Sequence, residues 1–262
     1  MTASRFATAA RSVVGLVRSD NEDSALLHPN LIAVADGMGG HAGGEVASSI
    51  AVRRLSDLTS VLDHGEIDPD SIEDLLLNAL QDIDSEIGRV AGENIHLTGM
   101  GTTLSALMLY GPTNAPKVAL LHVGDSRCYR LRGNSFTQLS HDHTVLQELL
   151  DKGSVSPEEA REHPQRSFLT QALMGEGPLA PVLMVYDVGP KDRFLLCSDG
   201  LSSAINEREI KAGMKIKDRD SAVTYLIDAA YSAGAPDNVT VLLADIDPGA
   251  QISTLTFIGS AS

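Results

Sequence analysis

Tryptophan is absent from the 262 residues, tyrosine and phenylalanine number five each, and aromatics reach only 4%. A base-stacking platform for single-stranded nucleic acid needs more rings than that. Cations are short too: 20 Lys and Arg against 35 Asp and Glu leave a net charge of −15, which repels a phosphate backbone. Nucleic acid is therefore not the expected partner. Cysteine occurs twice, at Cys128 and Cys197, both in strand-like runs, too few for a disulfide framework and without zinc-site spacing. A single disulfide stays open, but two buried thiols are favoured. No apolar run approaches the roughly 20 residues of a membrane span, and MTASRFATAARS lacks an apolar signal core. A cytoplasmic protein without a span is expected.

What is present is ordinary globular material, 43% apolar, enough for one large domain or two small ones. Val46, Ala47, Ile50, Ala51, Leu55, Leu58 and Leu62 recur at helical spacing. A second helix carries Ile72, Leu75, Leu76, Ala79, Leu80, Ile83 and Ile87, with Asp70 or Ser71 as its cap. GTTLSALMLY and KVALLHVG read as strands, as does VVGLV near the N-terminus, and Gly133-Asn134 marks a hairpin. Residues 142–174 turn polar and helix-like, with Pro157 opening a short helix. The last third reads VLMVYDV, RFLLCSD, two helices near 206–214 and 220–233, then the strand NVTVLLADI. Strands following one another through short turns imply an α+β fold with largely antiparallel sheets. The stretch from Pro248 is a Ser/Thr-rich tail in which TLTFI can pair as an edge strand.

A single grammar recurs. Apolar runs end in an acid beside glycine at Asp36-Gly37, Gly124-Asp125 and Asp199-Gly200, and Pro236-Asp237 stands just before a strand. Any one of these is most simply a turn aspartate. Four together suggest carboxylates converging on one rim, a hard-oxygen set suited to Mg2+ or Mn2+. Arg18 lies four residues before Glu22 in RSDNED, and a guanidinium fork can hold two phosphate oxygens at once.

RSDNED (18–23), VADGMGGHAGGEVAS (34–48), GTT (101–103), HVGDSR (122–127), CSDGL (197–201) and PDNVTV (236–241) stand in the order found in PP2C-like metal-dependent protein phosphatases. LLDKGSVSPEEAREHPQRSFLTQAL (149–173) resembles the flap of their bacterial, actinobacterial-like branch. The resemblance runs from about residue 10 to 246. It implies a four-layer α-β-β-α sandwich, one catalytic domain over 1–247 with a flap at about 145–172, and a tail at 248–262. It also implies Ser/Thr phosphatase activity with two or three Mn2+ or Mg2+ ions per chain. Asp36 matches the carboxylate bridging two metals, with the Gly37 carbonyl on the second. Asp199 and Asp237 match ligands of the first metal, and Glu22 a residue serving the second directly or through water. Asp125, with Asp199 and flap residue Ser167, matches a third site. Arg18 matches the phosphate-binding arginine. Phosphorylated proteins, Ser/Thr kinases among them, are the implied partners of a monomer.

Three departures qualify the match. Met38 stands where many eukaryotic relatives carry a general-acid histidine, so the leaving-group proton must come from His41 or from a water. Val13 and Gln171 replace an aspartate and an arginine common in the family. Two other readings compete. Gly37-Met-Gly39-Gly-His-Ala42 fits a dinucleotide-binding loop formally, but no acidic residue closes a strand about 20 residues on. A non-catalytic PP2C-like binding module would not need the whole acidic set. In His141-Asp142-His143, Asp142 is expected to cap a helix.

Overall fold

A computed structural model describes residues 4–39, 43–64, 68–112, 114–160, 163–165, 167–247 and 254–262. β1 (Arg5–Val13), β2 (Asp23–His28) and β3 (Leu31–Met38) precede α1 (Gly43–Leu55), α2 (Leu58–His64) and α3 (Ile72–Glu93). There follow β4 (Gly101–Thr102), β5 (Leu104–Tyr110), β6 (Lys117–Val123), β7 (Arg127–Arg132) and β8 (Ser135–Gln138), then α4 (Val145–Asp151) and α5 (Pro157–Ala160). The last stretch holds β9 (Val182–Asp187), β10 (Asp192–Cys197), α6 (Asp199–Ser202), α7 (Glu207–Met214), α8 (Arg219–Ser232), β11 (Val239–Asp247) and β12 (Thr256–Gly259).

Two antiparallel sheets result. One has the order β1-β11-β10-β7-β8; the other has β12-β2-β3-β5-β6-β9, with β4 paired to β3. Their apolar strands are covered on both faces, which is why they read as continuous hydrophobic runs and not as alternating ones. In β3, Leu31, Ala33 and Ala35 face α1 and α3, whereas Ile32 and Val34 face the other sheet. In β10, Leu195 and Cys197 face α7 and α8, whereas Phe194 and Leu196 point between the sheets. Three cores thus separate four layers, α-β-β-α. Among the described residues no helix is long and apolar enough to cross a membrane.

Several local expectations change. The apolar stripe of 46–62 belongs to two helices, α1 and α2, separated at Ser56 and Asp57. VVGLV is no strand: β1 ends at Val13, and residues 15–17 form a turn that leaves Leu16 and Val17 in solvent. Asp142 does not cap α4. Arg127 binds it through both carboxylate oxygens, and Thr144 caps α4 by accepting from Gln147 N. The expected TLTFI pairing is found, since β12 lies antiparallel on β2. Pro157 opens α5, and the Ser156 hydroxyl and Glu159 carboxylate cap it reciprocally.

Candidate metal centre

The C-terminal ends of β1, β3, β6 and β10 and the N-terminal starts of β2 and β11 lie at one end of the sandwich. Glu22, Asp36, Asp125, Asp199 and Asp237 sit there. Asp36 stands near the end of β3, where the neighbouring strand changes from β5 to β4. The GTT segment clamps its backbone: Asp36 N donates to Thr103 Oγ1 at 3.0 Å, and its carbonyl accepts from Thr103 N and Thr102 Oγ1, both at 2.9 Å. Gly37 follows because nothing larger fits. A Cβ there would meet the Gly44 carbonyl oxygen at 2.1 Å and the Glu22 carbonyl oxygen at 2.5 Å. Gly44 in turn packs α1 on this strand, beside the Glu22 carboxylate. Asp125 sits between β6 and β7, Asp199 opens α6, and Asp237 lies just before β11.

These groups lie close enough to feel one another's charge. Burial raises the Asp36 carboxyl well above its ordinary range, and the charges of Asp23, Asp199, Asp125 and Asp237 push it further. Burial and Asp199 raise Asp125 to about 8; burial and Asp237 raise Asp199 to about 6, against the opposing effect of its hydrogen bond with Asp36. Glu22 is raised by burial, against the pull of Arg18. Arg18 Nη2 donates to Asp237 Oδ2 at 2.7 Å, which anchors the guanidinium at the edge of the acids. Ser167 stands exposed on the turn before Phe168, and among the described residues no hydrogen bond ties it to Asp125 or Asp199. His41 lies outside the described residues.

The motifs did not single out two supporting groups, Asp23 and Asn238. Asp23 is fully buried, raised to about 7 by burial, and its Oδ2 accepts from Ser198 Oγ and Thr240 Oγ1, both at 2.7 Å. It thereby ties β2 to the opposite sheet directly beneath Asp199. Among the described residues its Oδ1 has no hydrogen-bond partner. Asn238 fastens the Arg18 loop to the Asp237 loop by donating to the carbonyls of Val14 and Asp20 and accepting from Glu22 N. Asp23 and Asn238 were visible inside RSDNED and PDNVTV, but a motif does not say which member is a strut.

Would divalent cations fit? The donors are all oxygens, Arg18 and Arg127 lie near the negative charge, and among the described residues the buried Asp23 Oδ1 has no hydrogen-bond partner. That is the donor chemistry of Mg2+ or Mn2+. Among the described residues no three such groups close on a single point. An ion held by fewer than three of them would keep part of its shell as water, as Mg2+ does. The donors fit.

Fold and site define a class before any comparison: a double-sheet α+β sandwich with an arginine-edged acidic rim for hard cations. The chain belongs to the protein phosphatase 2C family, whose model matches residues 10–229. It is 42% identical over 241 residues to the serine/threonine protein phosphatase PstP of Mycobacterium tuberculosis, covering 91% of this chain. Because the match covers 44% of PstP, the chain spans less than half that relative's length. It is 38% identical over 242 residues to the serine/threonine phosphatase stp of Listeria monocytogenes, 89% of this chain and 93% of that one. The crystal structure of the PstP catalytic domain in complex with two manganese ions superposes with a TM-score of 0.83, at 39% identity over 93% of this chain and 99% of that one. The dinucleotide reading fails on topology: β3 lies between antiparallel neighbours β2 and β5, and among the described residues no parallel βαβ unit includes it.

Proposed function

We propose that this chain hydrolyses phosphoserine and phosphothreonine in proteins, with two Mn2+ or Mg2+ ions and a third site beside them. What carries the reading is that carboxylates from both sheets meet at the rim where Arg18 is anchored to Asp237. Asp36 would be shared between two ions, with the Gly37 carbonyl and Glu22 on one side and Asp199 and Asp237 on the other. Asp125, Asp199 and Ser167 would serve the third. Bound there, divalent ions would supply Lewis acidity and lower the pKa of a water towards neutrality. Arg18 orients the phosphoryl oxygens and neutralises charge as it builds on them. The protein offers no thiolate for a covalent route, because burial pushes both cysteine thiols far up, Cys197 to about 12. Residues 1–247 form the catalytic unit in this reading, with 145–172 as its flap. It would act as a cytoplasmic monomer opposing Ser/Thr kinases.

The test is phosphate release from a phosphothreonine peptide with added Mn2+. Excess EDTA should abolish it. Asp36→Asn should lower kcat/KM at least about a hundredfold while leaving the circular dichroism spectrum unchanged. Full activity in EDTA or in Asp36→Asn would overturn the reading.

A further inference from the structure

The turn ahead of Arg18 displays two large apolar side chains. Leu16 is 62% exposed and Val17 71%, and among the described residues only Ile95 stands out more. Single exposed apolar residues need no explanation. This pair differs because its backbone is fixed. Gly15, at φ +84°, lies so close to the metal-centre loop that a Cβ would meet the Asp237 carbonyl oxygen at 2.2 Å and that of Ala235 at 2.8 Å. Leu16 N donates to the Ala235 carbonyl at 2.9 Å, and Ala235 itself holds φ 29°, a left-handed conformation costly for a residue with a Cβ. The Asn238 amide holds both flanks, at the carbonyls of Val14 and Asp20. A turn so stapled cannot swing its side chains into a core.

We propose that Leu16 and Val17 form an apolar pad that receives an apolar residue of the protein substrate, one or two positions from the phosphorylated residue. This rests on the phosphatase reading above. The distance is right: the Arg18 guanidinium is held on Asp237, whose backbone lies against Gly15, the residue next to Leu16. An extended substrate advances about 3.3 Å per residue, so a phosphate held on Arg18 brings a near neighbour over the pad. The surface as a whole is acidic, at −15, and would favour basic flanks at long range. The pad selects at contact range, by desolvation.

Paired phosphothreonine peptides differing only in Leu or Ser on both sides of the phosphoresidue test it, with Mn2+ present. The native chain should favour the leucine peptide about tenfold in kcat/KM, mostly through KM, the size expected for part-burial of one leucine. Leu16→Met/Val17→Ile should keep that ratio, and Leu16→Ser/Val17→Ser should bring it within about twofold of one. Equal kcat/KM on both peptides, or a preference that survives the serine pair, would overturn the pad and leave the phosphatase reading standing. No phosphate release from either peptide by the native chain would overturn that reading and the pad with it.

Discussion

Arg18 shows how much chemistry rests on the shape of one side chain. Its hydrogen bond to Asp237 uses one of five N–H donors, and half of the side chain stays exposed. A lysine would keep the charge near Asp237 but could not present a planar fork to two phosphoryl oxygens. Arg18→Lys should therefore lower kcat/KM on a phosphopeptide about tenfold or more, since hydrogen bonds to charged groups contribute roughly 1.5–3 kcal/mol. Its melting temperature should barely move, because an exposed ion pair contributes only about 0–1 kcal/mol. Asp142 gives the opposite lesson. Flanked by two histidines in the sequence, it looks available for capping or catalysis, yet the half-buried Arg127 takes both of its oxygens. Nothing local in His141-Asp142-His143 announces a partner on β7.

At the level of elements, α3 holds the chain that returns from the 145–172 segment. The Asp84 carboxylate accepts from Met174 N at 2.9 Å and Gly175 N at 2.8 Å, and Gly88 lets Gly175 approach its backbone. The same helix contains Gly92, which faces open solvent. Both glycines cost helix propensity, up to about 1 kcal/mol relative to alanine. At Gly92 nothing opposes that gain, so Gly92→Ala should raise the melting temperature by up to about 2–4 °C. At Gly88 a Cβ would meet the Gly175 Cα at 2.8 Å, and overpacking of roughly 1–3 kcal/mol outweighs the propensity gain. Gly88→Ala should melt lower; thermal unfolding of the two variants checks both signs. Sequence legibility follows the same division between local and distant causes. The four aspartates, Arg18 and most strands could be read because each is marked by adjacent glycines, prolines or apolar runs. The break between α1 and α2, the turn at 15–17 and the buried strut Asp23 could not. The turn and the strut depend on what packs against them from another part of the chain: Ala235 for the turn, Ser198 and Thr240 for Asp23.

At the scale of the whole molecule, two sheets are joined at an end where their carboxylates collect, and that junction sets how stability depends on pH. Asp23, Asp125 and Asp199 are raised to about 7, 8 and 6, and Asp36 is raised as well, in each case first by burial. In the unfolded chain each returns to about 3.9. The folded state therefore binds more protons than the unfolded state between roughly pH 4 and pH 8. The sign follows: the protonated rim is tolerated at low pH, and the stability it allows is lost as pH rises through the folded values. In EDTA the melting temperature should fall from about pH 5 to pH 8, against the usual direction for aspartates held in ion pairs. Divalent cations that bind only the folded, ionised rim should reverse the trend, stabilising by RT ln(1 + [L]/Kd), with the largest effect at the alkaline end where no proton competes. Melting curves across that range with EDTA and with saturating Mn2+ read both slopes. If metal-free stability rose with pH, or Mn2+ stabilised equally at pH 5 and pH 8, the carboxylates would not be titrating as one cation site across the junction of the sheets.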